Sequence, residues 1–185
     1  THDQYCQQLF SQAGGEEALF VQHKLYFAFI EHLWATERKN EAMTRLGLLC
    51  NIVDLTTHCA KEKTSNDLRV SCWLRYGDWK LALNPPGTDL PDSLATDVLV
   101  SYKRATDVAI SDNYRAFHSW ALINFRLAEQ LNDKDRGTTS AAKPSMIQHH
   151  VIAAVKGFVR AISVGTKRWS ASVQQDLLNL LSCLF

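Results

Sequence analysis

Proline is scarce, with four among 185 residues, and the eight glycines gather mostly between segments. So few breakers leave long stretches free to be helical, and no apolar–polar alternation lasts long enough to build a sheet. Long uncharged apolar runs are missing, which excludes a membrane-spanning segment. The N-terminus, Thr1-His2-Asp3-Gln4, lacks the basic-then-apolar layout of a signal peptide. An excess of one charge is missing too. Twenty Lys and Arg stand against nineteen Asp and Glu, a net charge of +1, so no global field draws nucleic acid or an anionic membrane. The five cysteines, at 6, 50, 59, 72 and 183, are odd in number and include no C-x-x-C pair. Free thiols on apolar faces imply a reducing compartment, the cytosol or nucleus. There is no G-x-G-x-x-G, P-loop, H-E-x-x-H or G-x-S-x-G, and no kinase catalytic loop or D-F-G. The chain has no initiator Met and stops inside a leucine-rich run, Leu177 to Phe185, so both ends read as cut from something larger.

What is present is helical periodicity. The apolar fraction of 46% and charged fraction of 21% are those of a globular protein with a real core. Leu19 to Thr36 is apolar over a wide face that includes Tyr26, Phe27, Phe29, Ile30, Leu33 and Trp34. A polar turn, Glu37-Arg38-Lys39-Asn40, leads into a stripe of Ala42, Leu46, Leu49 and Val53. Two helices joined so briefly lie antiparallel. A third helix, opened by a capping box at Thr64-x-x-Asp67, carries Val70, Trp73, Leu74 and Gly77 on its inner face. Gly77-Asp78 should turn the chain, with Trp79 starting a short segment before the breaker run Asn84-Pro85-Pro86-Gly87.

Asp92 to Ile110 predicts a fourth helix with Leu94, Val98, Tyr102, Ala105 and Ala109 on one stripe. Ser111-Asp112 can cap a fifth, Tyr114 to Leu131, which presents Phe117, Trp120, Ala121, Leu127 and Leu131. Asn132 to Lys143 holds no large apolar residue and predicts a mobile loop. Capping boxes at Ser145-x-x-Gln148 and Ser172-x-x-Gln175 open two more helices, the first ending at Gly165. The first of these presents Ile147, Val151, Ala154, Val155, Phe158 and Ile162, the second Val173, Leu177, Leu181 and Leu184. The expected fold is all-α: stacked antiparallel helical hairpins forming a tetratricopeptide-like α-solenoid, one helical-repeat segment over 1–185.

Chemistry-bearing residues are few. His149-His150 has no acidic or thiol partner at helical spacing, so surface histidines are the default over a metal site. His118 lies between Phe117 and Trp120, but neither a nucleophile nor an orienting carboxylate is visible, and a packing role is the default. Asn124 is a polar residue on an apolar face, hydrogen-bonded if buried. Lys103-Arg104 and Lys167-Arg168 are scattered basic pairs. A solvated face is their default, with Lys103 and Arg104 kept as candidate phosphate contacts. The tryptophans at 34, 73, 79, 120 and 169 coincide with helix faces and turns, which favours core packing over a ligand-stacking box. Trp73, Trp79, Phe117, Trp120, Asn124 and Phe158 are the residues expected to hold the segment together. No catalytic, metal or cofactor residue is assigned.

An ordered series of motifs from about Leu68 onward resembles the late FAT region of TOR kinases, in the phosphatidylinositol-3-kinase-related kinase family. Leu74-Arg75-Tyr76-Gly77-Asp78-Trp79 resembles the L-x-L-G-x-W hairpin turn, and Tyr102-Lys103-Arg104-Ala105-Thr106 resembles Y-x-x-A-T. The run from Tyr114 to Phe125 resembles Y-K-A-W-H-x-W-A-x-x-N. Val155 to Ser163, with Gly157 and Phe158 at its centre, resembles V-x-G-F-F-x-S-I, and Gln175 to Leu181 resembles Q-D-x-L-R-L-L. Loop 132–143 falls where TOR proteins carry a variable insertion. Phe117, Asn179 and Leu184 stand where the family has Trp, Arg and Trp, which on this resemblance points to a divergent TOR or a close relative within the family.

The resemblance implies a non-catalytic helical clamp that braces a Ser/Thr kinase domain in nutrient and growth signalling. It implies a rapamycin-binding domain and a catalytic domain, with ATP and Mg, beyond Phe185. TOR-complex subunits and regulators would be the partners, in the cytoplasm, at endomembrane surfaces or in the nucleus. TOR FAT regions also hold an inositol polyphosphate. Asp67 and Asp97 stand where basic residues would be wanted, so no ligand residue carries over. The alternative is a free-standing tetratricopeptide-like adaptor that binds a peptide.

Overall fold

The computed structural model describes residues 8, 11–57, 63–85, 87–109, 113–135, 143–165 and 167–184. Among them are seven long helices and no strand: α1 (Glu16–Ala35), α2 (Lys39–Thr57), α3 (Lys63–Ala82), α4 (Asp92–Val108), α5 (Tyr114–Asp135), α6 (Lys143–Val164) and α7 (Lys167–Leu184). The fold is all-α. Where the sequence reads as one segment, the backbone groups into two compact units, Thr1–Trp79 and Lys80–Phe185.

In the first unit, α1 ends because polar residues 36–40 offer nothing to bury. The end is closed by a residue in the left-handed region, Glu37 at φ 63°. Arg38 N–H donates to the Leu33 carbonyl at 3.0 Å and Glu37 N–H to Trp34 at 3.2 Å, which satisfies carbonyls the helix leaves open. The chain then returns as α2, which packs on α1 with Ala42, Leu46, Leu49 and Val53 buried, as are Ile30 and Leu33 of α1. α3 runs back along both helices. Its Trp73 meets Asp54 and its Tyr76 meets Gly47, so it pairs with α2 in antiparallel order, while Arg75 on Glu31 and Trp79 on Trp34 pair it with α1 in parallel order.

In the second unit the loop after α3 is fastened to α5. The Gln130 amide accepts from Leu90 N–H at 2.9 Å and donates to the Leu90 carbonyl at 3.0 Å. Both backbone groups of buried Leu90 are thereby satisfied. Gly87, at φ 76°, takes a turn that other residues reach only with strain. α4 to α7 pack as successive hairpins, and the core that α5, α6 and α7 share holds Ala121, Ala154, Phe158, Ala161, Val173 and Leu180.

Several expected boundaries move. Gly77-Asp78 does not turn the chain, because α3 runs unbroken to Ala82. Gly77 is buried inside the helix, and packing of its neighbours overrides the glycine's weak helix preference of about 1 kcal/mol. The L-x-L-G-x-W motif is thus a buried helix face, not a turn. Residues 132–135 of the expected loop extend α5, and 136–142 lie outside the described residues. α6 begins at Lys143 and α7 at Lys167, so Ser145 and Ser172 sit within their helices and are not caps. Pro144 falls in the first turn of α6, where its missing N–H costs no helix bond. α3 begins at Lys63, which leaves Thr64 inside it, with its side chain outside the described residues. α4 stops at Val108, and Ile110, Ser111 and Asp112 lie outside the described residues.

Candidate functional site

In the first unit one carboxylate draws two donors across a helix interface. Asp54 of α2 accepts from Trp73 Nε1 at 2.9 Å and is ion-paired with Arg69 Nε, both donors coming from α3. One turn further along, Arg75 reaches Glu31 of α1 at 2.6 Å, and its guanidinium lies 5.9 Å from the centre of the Trp79 ring. Trp79 in turn stacks flat on Trp34, with centroids 4.3 Å apart and planes 4° from parallel. The two indoles are each other's stacking partner, with Trp79 only 6% exposed. The pKa of the buried Cys72 thiol of α3 is pushed up to about 12 by burial and then by the charges of Asp54 and Glu31. It stays a protonated, unreactive thiol.

The second unit is organised by a close approach of α5 and α6. A Cβ on Gly157 would stand 2.8 Å from Ala121 Cβ, 3.0 Å from the Phe117 carbonyl oxygen and 3.1 Å from Trp120 Cε3. Only hydrogen fits there. That contact lets the next residue, Phe158, bury itself completely. Asn124, 2% exposed, donates from Nδ2 to the Trp120 carbonyl at 2.8 Å and meets His150 Nδ1 at 2.9 Å through its Oδ1. Because Oδ1 can only accept, His150 carries its proton on Nδ1. Burial, and next the neighbouring His149, hold the His150 pKa below its ordinary value, which favours that neutral form. His150 is therefore a half-buried core partner and not a surface histidine, whereas His149 is exposed. His118 finds the carboxylate that the sequence did not show. Its Nε2 lies 2.7 Å from Asp176 Oδ2 of α7, and its ring tilts against Phe158 at 5.9 Å. The pair ties α5 to α7.

Beside this seam lies an open cleft of about 320 Å³. Phe117 and Trp120 of α5 form its aromatic wall, and Lys156 and Arg160 of α6 stand on the opposite rim. Lys103 and Asp107 of α4, ion-paired with each other, close the third side. Lys103 thus converges with two cations from another helix, while Arg104 is exposed and does not line the cleft. The Lys167, Arg168 and Trp169 side chains lie outside the described residues. Among the described residues, no cluster of three or more His, Cys, Asp or Glu could hold a metal ion. No helix there is long and apolar enough to cross a membrane.

Set beside known proteins, residues 3–182 match the family model for the FAT domain, which takes in both compact units. Serine/threonine-protein kinase TOR2 of Saccharomyces cerevisiae is 30% identical over 208 residues, covering 86% of this chain and 8% of that protein. Serine/threonine-protein kinase tor1 of Schizosaccharomyces pombe is 25% identical over 174 residues, covering 86% and 7%. Serine/threonine-protein kinase mTor of Drosophila melanogaster is 24% identical over 184 residues, covering 89% and 7%. The chain spans 7 to 8% of the length of these relatives.

Proposed function

The chain belongs to the FAT-domain family, and on that premise we propose that it is a scaffold segment of a TOR-type Ser/Thr protein kinase, bracing and regulating a catalytic domain elsewhere in the same polypeptide. The observation that carries this reading is the FAT-domain match over residues 3–182, together with similarity to three relatives that are all named Ser/Thr kinases. The packing supports it. Helices locked by Gly157, the Asn124–His150 bond and the Trp34–Trp79 stack resist bending, as a brace must. Phosphoryl transfer, with ATP and Mg, belongs to the parent's kinase domain. Complex subunits and regulators of growth signalling meet the helical surface, on the cytoplasmic side. The segment acts by biasing the open and closed populations of the kinase cleft, as any coupled element must if it contacts the two states differently.

Two measurements test this. The reading frame that encodes the chain should also encode kinase motifs, and a short helical cap followed by a stop codon would refute it in favour of an adaptor. In the full-length protein, Trp120→Ala should loosen the segment by about 1 to 2 kcal/mol, less than a core aromatic because its ring is half-buried. It should change kinase output while the KM for ATP stays put. Unaltered protease resistance together with unaltered activity would contradict the proposal.

A further inference from the structure

We infer that the cleft between α4, α5 and α6 is a docking groove for a peptide segment that carries one bulky apolar side chain flanked by acidic residues. The inference does not depend on the parent being a kinase. Its first support is charge. Three cations, Lys103, Lys156 and Arg160, face the cleft against one carboxylate, Asp107, a local balance of +2. The whole chain carries only +1 from 39 charged residues, so this spot is basic well beyond the average surface. Asp107 is occupied by Lys103. Lys156 and Arg160 stand exposed on α6, one helical turn apart, as a pair that an acidic segment can straddle.

The second support is the wall. The Phe117 and Trp120 rings are half-buried, and Arg160 lies 5.6 Å over the face of Phe117. Between them the cleft's 320 Å³ sits at the small end of ligand pockets, which run from about 300 to 1,000 Å³. That is room for one large side chain, with the groove open on the outside for the backbone that carries it. A bare anion would leave the aromatic wall unused. An apolar ligand alone would strip water from Lys156 and Arg160 without replacing it, which costs free energy. An apolar anchor between carboxylates satisfies both surfaces, and such an anchor in a half-desolvated pocket is where binding energy concentrates.

The test is fluorescence anisotropy on the full-length protein with a short labelled peptide of sequence Asp-Glu-Trp-Glu-Asp between Gly-Ser flanks. Binding should be saturable and weaken as salt is raised. Peptides with Ala for the Trp, or with Lys for all four acids, should bind at least about tenfold more weakly. The double variant Lys156→Glu/Arg160→Glu changes two exposed side chains and should lose about tenfold in affinity with unchanged melting. If that variant fails to fold, Lys156→Gln/Arg160→Gln serves, with about a threefold loss expected. Equal binding of the basic peptide, or undiminished binding by a folded variant, overturns the proposal. So does an Ala peptide that binds as tightly as the Trp peptide and is displaced by inorganic polyphosphate, since the site would then be an anion site only.

Discussion

Replacing Gly157 by alanine probes the closest approach in the second unit. Carbon atoms rest comfortably at about 3.5 to 4.0 Å, yet the new methyl would sit 2.8 Å from Ala121 Cβ. The shortfall is about 1 Å. Neither neighbour can swing aside, because Ala121 Cβ has no torsion and the Phe117 oxygen, at 3.0 Å, belongs to the backbone. The helices must part, and overpacking of this kind costs about 1 to 3 kcal/mol. Alanine's better helix preference returns about 1 kcal/mol, which leaves a net loss of about 0 to 2 kcal/mol. With a urea dependence of about 2 kcal/mol per molar, the midpoint should fall by up to about 1 M. Amide exchange resolved to α5 and α6 separates this effect from the first unit. Adding Ala121→Gly should recover part of the loss, with a coupling of about 0.5 kcal/mol or more in the double-mutant cycle. A Gly157→Ala protein that is more stable, by the increment a free helix surface would gain, refutes the reasoning outright.

Three further outcomes follow from the same structure. Asp54→Ala strands Arg69 and the indole N–H of Trp73, so a loss of about 3 kcal/mol is expected in denaturant unfolding, and a smaller one for Asp54→Asn, which keeps an acceptor. The Cys72 thiol lies at about 12 against an ordinary 9.0. The folded state therefore holds this proton more tightly, and stability is intact below pH 9 but falls as pH rises from there toward 12. The slope should approach about 1.4 kcal/mol per pH unit and vanish in Cys72→Ala. His150 is shifted the other way, from 6.5 downward, so the unfolded chain binds that proton first. Protection of α5 and α6 amides should drop as pH falls below 6.5, and His150→Gln, which can still donate to Asn124, should flatten that dependence. His23, also lowered by burial, acts with the same sign in the first unit, so the readout must be local.

The helices and their inner faces were largely legible in the sequence, because apolar residues at spacings of three and four have few other uses. Ala42, Leu46, Leu49 and Val53 follow that spacing and are at most 2% exposed. Asn124 was legible as a buried group in need of a partner, but its partner was not. His150 lies 26 residues away on another helix, and Asp176 lies 58 residues from His118. Such pairs depend on how two helices slide and rotate against each other, which no local pattern encodes. The same holds for Lys103 meeting Lys156 and Arg160. Glycine and serine misled where they usually guide. Gly77-Asp78 carries the composition of a turn, yet Trp79 on Trp34 and Arg75 on Glu31 keep it helical. The serines at 145 and 172 match capping patterns that an exposed helical surface also tolerates.

Asp54 has a mechanical corollary. Its two donors, Arg69 and Trp73, stand one turn apart on α3, so a pull along that helix loads both in shear at once. Sliding α3 by a single residue, about 1.5 Å, breaks the pair together, and a new pairing lies a full turn away. Under tension the contact between α2 and α3 should therefore hold rigidly and then fail in one step, behaving as a catch and not as a spring.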